Sequence, residues 1–189
     1  MQYQRSEKTR IEQLNGDLNT NTAKWYSNNI SNYEYLIRIR YGIDEYSEGR
    51  SGHTSGAKQE EILKIKVLDG DTISVYDQIK RSQNDIGDRY IDSLPELFDF
   101  TKEVVAHPDF SYVCEHFSEV CTVLEYTPES LKSRISDDKE NIPIPRIQVE
   151  FSELYGIPEF IAVYIHYGNQ KYYHRLYLVV YEITNYKSY

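Results

Sequence analysis

Hydrophobic and polar residues alternate with a period of two across residues 33–43, where Tyr33, Tyr35, Ile37, Ile39, Tyr41 and Ile43 interleave with Glu34, Leu36, Arg38 and Arg40. That period predicts a strand with one buried face. A hairpin follows over residues 61–77, turning near Asp69-Gly70. A two-residue turn would set Ile65 opposite Ser74 and Lys66 opposite Ile73, apolar against polar. A three-residue loop, Leu68-Asp69-Gly70, sets Ile65 opposite Ile73 and Leu63 opposite Val75, and is the register the pattern predicts. Ile147, Val149 and Phe151 share one face of a further strand, Arg146 to Phe151, behind an extended Ile142-Pro143-Ile144-Pro145 linker. The strongest β signal runs from Phe160 to His166, turns at residues 167–170, and returns from Lys171 to Ile183. It is apolar or aromatic on both faces, which predicts a hairpin at the middle of the sheet.

The period changes to that of a helix after Ser93-Leu94-Pro95-Glu96, which reads as a capping box with proline in the first turn. Leu94, Leu97, Phe98, Thr101 and Val105 then share one face up to a stop at His107-Pro108. A second helix is predicted from Phe110, Val113, Cys114, Phe117, Val120, Cys121 and Leu124, at the spacing of an amphipathic helix. A third, shorter one opens at Thr127-Pro128-Glu129. Residues 1–32 are polar, and Ile11, Leu14 and Leu18 form only a thin stripe. They predict a short helix followed by loop, a weakly structured segment ahead of a single α+β domain at 33–189. Ser47 to Lys58 carries three glycines and three serines without apolar periodicity, and predicts a mobile surface loop with no binding role. The fold class expected is α+β: a mostly antiparallel sheet with two or three helices packed on one face.

Charge adds a feature that the hydrophobic pattern does not contain. The chain has a formal net charge of −9. Residues 85–129 hold eleven carboxylates and two cations, Arg89 and Lys102, so 2 − 11 = −9 and the remainder sums to zero. Such a concentrated negative field repels nucleic acid and steers a basic partner. The outer carboxylates of the first two helices, Asp92, Glu96, Asp99, Glu103, Glu115 and Glu119, are the candidate partner-binding residues. Immunity proteins, antitoxins and anti-defence proteins use surfaces of this charge and size, an analogy at that level alone. Tyrosine is abundant, 19 residues against 6 Phe and 1 Trp. Its preference for strands and interfaces supports an alternative role as a structural or assembly subunit, a homo-oligomer included, associating through tyrosine-rich strands and sheet edges.

Catalytic and metal chemistry find little support in the sequence. Cys114 and His116 point about 200° apart on a helix, so they cannot converge on one ion with Glu119 and Cys121. The cysteines lie on an apolar stripe in an acidic segment, the wrong setting for a nucleophilic thiolate. Two turns separate them by about 10 Å of rise, too far for a disulfide. His53 lies in the glycine- and serine-rich stretch without a partner nearby in sequence, and His166 and His174 flank the last turn. No phosphate loop or nucleophile elbow is present. The expectation is a non-enzymatic protein with no cofactor and no metal. The apolar runs fall short of a membrane span and the first residues lack a secretory apolar segment, so the expected setting is cytoplasmic, away from membranes.

Overall fold

The computed structural model of the protein describes residues 2–48, 51–54, 56–84, 93–106, 146–168 and 172–189. In chain order these form helix α1 (Gln2–Ser27), strands β1 (Tyr33–Glu48), β2 (Ser51–Thr54), β3 (Gln59–Leu68), β4 (Asp71–Asp77) and β5 (Ser82–Asn84), helix α2 (Leu94–Ala106), and strands β6 (Arg146–Phe151), β7 (Pro158–Gly168) and β8 (Tyr172–Ser188). Seven strands lie in the order β5-β4-β3-β1-β8-β7-β6, every neighbour antiparallel, and β2 pairs with the far end of β1. The mixed α+β class is as expected. Among the described residues there are two helices, and the predicted second and third helices lie outside them.

β1 organises the sheet because its alternation is strict. Tyr33, Tyr35, Ile37, Ile39, Tyr41 and Ile43 are all buried, and β1 pairs with β3 from Tyr33↔Val67 to Tyr41↔Gln59. Gly42 follows with φ 67°, a left-handed conformation that glycine adopts without steric penalty. Beyond it β1 takes a new partner on the same side, β2, from Glu45↔Thr54 to Glu48↔Ser51. This corrects the expectation of a loop over Ser47 to Lys58. The overhanging end of β1 offers unpaired backbone groups, and a strand recruited to them needs no apolar periodicity of its own.

The β3–β4 hairpin corrects the predicted register. Asp69 and Gly70 both have positive φ, 52° and 88°, the two-residue turn whose twist suits a hairpin. Pairing starts as Leu68↔Asp71 and Val67↔Thr72, then slips at a bulge to Lys66↔Ser74 and Ile65↔Val75. The bulge absorbs Ile73, which is left 44% exposed, while Ile65 and Val75 become fully buried together. One extra residue in β4 thus reconciles a tight turn with a single apolar face.

β8 occupies a central place between β1 and β7, whereas β7 is next to the end of the sheet, so the last hairpin is only half central. Both strands are apolar on both faces. Ile161, Val163, Ile165, Val179 and Tyr181 join the main core, while Ala162, Tyr164 and Val180 form a second cluster with Ile43.

α1 departs furthest from expectation: it runs for 26 residues. Leu18 and Trp25 are buried in the main core, with Ile11 and Leu14 packed against it. The Trp25 ring stands edge-on to Tyr33 at 5.4 Å and to Tyr186 at 5.9 Å, and Tyr155 meets Tyr186 at 5.0 Å. Edge-to-face pairs of this kind add about 0.5–1.5 kcal/mol each beyond area burial. Polar contacts tie α1 to the β6–β7 region, with Arg10 donating to the Ile147 carbonyl at 2.9 Å and the Lys24 ammonium to the Glu153 carbonyl. At Gly156, φ is 73° and an added Cβ would lie 2.5 Å from the Asn21 carbonyl oxygen, so the turn before β7 meets the helix backbone directly.

Candidate functional site

α2 carries the described part of the acidic stretch, and its start is fixed by the capping box the sequence predicts. The Glu96 amide donates to Ser93 Oγ at 3.3 Å, and the Ser93 amide donates to Glu96 Oε2 at 3.1 Å. The Leu97 amide donates to the Ser93 carbonyl at 3.1 Å, closing the first turn. The Leu94 amide reaches the Tyr33 hydroxyl at 3.4 Å, tying the helix start to β1. Burial pushes the Tyr33 hydroxyl up to about 12 against the opposing Leu94 amide, with Glu96 adding to the rise. Tyr33 therefore stays neutral through the physiological range and acts as a fixed acceptor.

One side of α2 is wholly core. Leu94, Leu97, Phe98, Phe100, Thr101, Val104 and Val105 are buried, and Phe100 meets Tyr181 edge-on at 5.2 Å. Thr101 donates its hydroxyl to the Leu97 carbonyl at 2.7 Å, so its burial leaves no orphan donor. Glu96, Asp99 and Glu103 are exposed. At ~100° per residue they fall within an arc of about 60°, and Glu96 and Glu103 are separated by about 10 Å along the axis. Lys102 is the one cation of α2, 3.5 Å from Asp99 across a single turn.

Three of the six predicted site residues are therefore brought into one row. Asp92, Glu115 and Glu119 lie outside the described residues, as do Cys114, His116 and Cys121. Within the row the roles differ: Glu96 also closes the capping box, whereas Asp99 and Glu103 have no part in it. The capping-box pattern itself carried that signal.

Other candidate residues are dispersed. His53 pairs in register with Tyr46 on β2, and His166 and His174 pair with Arg175 and Tyr167 rather than with each other. Among the described residues no group of three or more His, Cys, Asp or Glu is placed to hold a metal ion, and no helix is long and apolar enough to cross a membrane. Periodicity did not reveal a buried acidic pair at the edge of the core. Asp77 Oδ1 accepts from the Ile79 and Lys80 amides at 2.9 Å each, and the Lys80 ammonium lies 3.4 Å from Asp77 and 3.8 Å from Glu61. Its geometry is that of a turn anchor. A groove of about 340 Å³ between Trp25, Tyr26, Ile30, Tyr33 and Pro95 was also not foreseen; it is assembled from α1, the loop after it, β1 and α2. No protein family matches the chain, and no curated protein is found similar to it.

Proposed function

We propose that the protein is a non-enzymatic binding module that presents the acidic face of α2 to a basic partner protein. The observation that carries this reading is the division of α2 into a fully buried apolar arc and an exposed row of carboxylates, Glu96, Asp99 and Glu103. Within the helix Glu96 closes the capping box and Asp99 pairs with Lys102, and the row still faces outward. In this reading both helices lie on one face of the sheet, and Asp92, Glu115 and Glu119 extend the row into a broader surface. Charge of one sign on a rigid element speeds encounter with a partner of the opposite sign, and its effect falls as salt shortens the Debye length.

The test uses Glu96→Gln, Asp99→Lys and Glu103→Lys together. Glutamine can keep the capping box, so the variant removes the acidic row without removing the cap. Pull-downs from native lysate are compared at low and high salt. Basic proteins are expected to be retained by the unmodified protein at low salt and lost with the variant. Unchanged retention by a variant that is still folded overturns the proposal.

A further inference from the structure

We infer that the outer edge of β6 pairs with the same edge of a second copy of this chain, and that Arg10 of α1 competes for it. β6 is the last strand of the sheet among the described residues. Its Ile147 carbonyl accepts from Arg10 Nη1 and so points away from β7. In an antiparallel strand the N–H and C=O of one residue point to the same side and the side alternates, so Ile147 and Val149 both turn their backbone groups outward. A groove of about 360 Å³ runs along this edge, lined by Arg10, Leu14, Ile147, Gln148, Val149 and Tyr164. An edge of this kind is a template for strand pairing, and natural proteins commonly guard it with a charged side chain.

The residues of β6 make the edge complementary to itself. Consider antiparallel pairing about a two-fold axis through Gln148. Ile147 then faces Val149 of the second copy, and the outward N–H and C=O groups of these two residues bond to each other. Arg146 faces Glu150 of the second copy, and the symmetry repeats that pair. Axes through Ile147 or Val149 would leave Arg146 and Glu150 opposite uncharged residues, so charge selects the Gln148 axis. Gln148 donates to Glu150 Oε1 at 2.9 Å within one chain, which places both side chains on the face where the second copy's Arg146 would arrive. A contact of six residues per strand is small, so the dimer is weak and forms with rising concentration. It leaves the α2 carboxylates untouched, and its failure would leave the partner-binding proposal standing.

The experiment is sedimentation velocity on the full chain across a concentration series. The samples are the unmodified protein, Arg10→Ala, Arg146→Glu, Glu150→Arg, and an equimolar mixture of the two charge variants, with thermal unfolding to establish that each is folded. The unmodified protein is expected to dimerise with concentration, and Arg10→Ala to do so at lower concentration because the competing donor is gone. Each charge variant alone should associate about tenfold more weakly, since two attractive pairs become repulsive. The mixture should recover association, because reversed charges then meet opposite ones. A second readout is Gln148→Cys: the two copies would place these residues about 4.5 Å apart at a non-hydrogen-bonded position, within reach of a disulfide. Oxidation should give a covalent dimer that the unmodified protein does not form. The proposal is overturned if Arg10→Ala stays monomeric at every concentration, if the charge variants associate like the unmodified protein, if their mixture does not recover, or if Gln148→Cys does not cross-link.

Discussion

Replacing Gly156 with alanine measures how closely α1 is seated against the turn before β7. Two costs combine at this position. The residue sits at φ 73°, where a side chain costs about 1–2 kcal/mol. The new Cβ would also lie 2.5 Å from the Asn21 carbonyl oxygen and 3.2 Å from its carbon, and because both atoms are backbone the helix itself must shift. Overpacking of that kind adds roughly 1–3 kcal/mol. Gly70 supplies the control: its φ is 88° and nothing lies within 4 Å of an added Cβ, so Gly70→Ala carries the conformational cost alone. Denaturant unfolding should show Gly156→Ala destabilised by about 2–5 kcal/mol and Gly70→Ala by about 1–2 kcal/mol. At ~2–4 °C per kcal/mol for a chain of this size, the thermal midpoint of Gly156→Ala falls by roughly 10 °C and that of the control by half as much or less. Equal losses in the two variants would refute the reasoning, because they would mean that α1 does not press on Gly156.

Three further outcomes follow from the same geometry. Ser93→Ala removes the oxygen that accepts from the Glu96 amide, and should cost about 1 kcal/mol by denaturant unfolding. Burial raises the Asp77 carboxyl, but the Lys80 and Ile79 amides and the Lys80 ammonium outweigh it and hold the group below its ordinary value. Such a group contributes stability that is complete above about pH 4, the unfolded value, and is lost as pH falls through the lower folded value. Asp77→Ala should therefore be less stable at neutral pH by about 1–3 kcal/mol and lose less stability on acidification, as followed by unfolding midpoints across a pH series. Trp25→Ala empties the site between Tyr33 and Tyr186 and should cost about 3–5 kcal/mol, with faster amide exchange along α1.

What was legible in the sequence depended on whether the deciding interaction was local. β1 could be read because five alternate positions, Tyr33 to Tyr41, all join the main core, and α2 because Ser93 and Glu96 cap it within one turn. The β3–β4 register could not, since the preference of Asp69-Gly70 for a two-residue turn and the apolar pattern disagree unless Ile73 is bulged out. α1 was underestimated because its docking rests on few residues, Leu18 and Trp25 foremost. Two of the contacts that seat the helix, Tyr186 against Trp25 and Gly156 against Asn21, come from more than a hundred positions further along the chain. β2 has no hydrophobic signal at all; it follows from the length of β1. Within the candidate site, the exposed row was foreseen at Glu96, Asp99 and Glu103. The double role of Glu96 follows from the same capping box that located the helix.

In the proposed function the carboxylates of α2 hold a basic partner through charge. Its most direct test is a lysate pull-down comparing the unmodified protein, the Glu96→Gln/Asp99→Lys/Glu103→Lys variant, and a control altered at Tyr164, Tyr173 and Tyr177 on the β7–β8 hairpin. Retained proteins are identified at low and high salt. Basic proteins are expected to bind the unmodified protein and the tyrosine control at low salt, to be released at high salt, and not to be retained by the charge variant. Retention by the charge variant together with loss in the tyrosine control would contradict the proposal and assign binding to the strands instead.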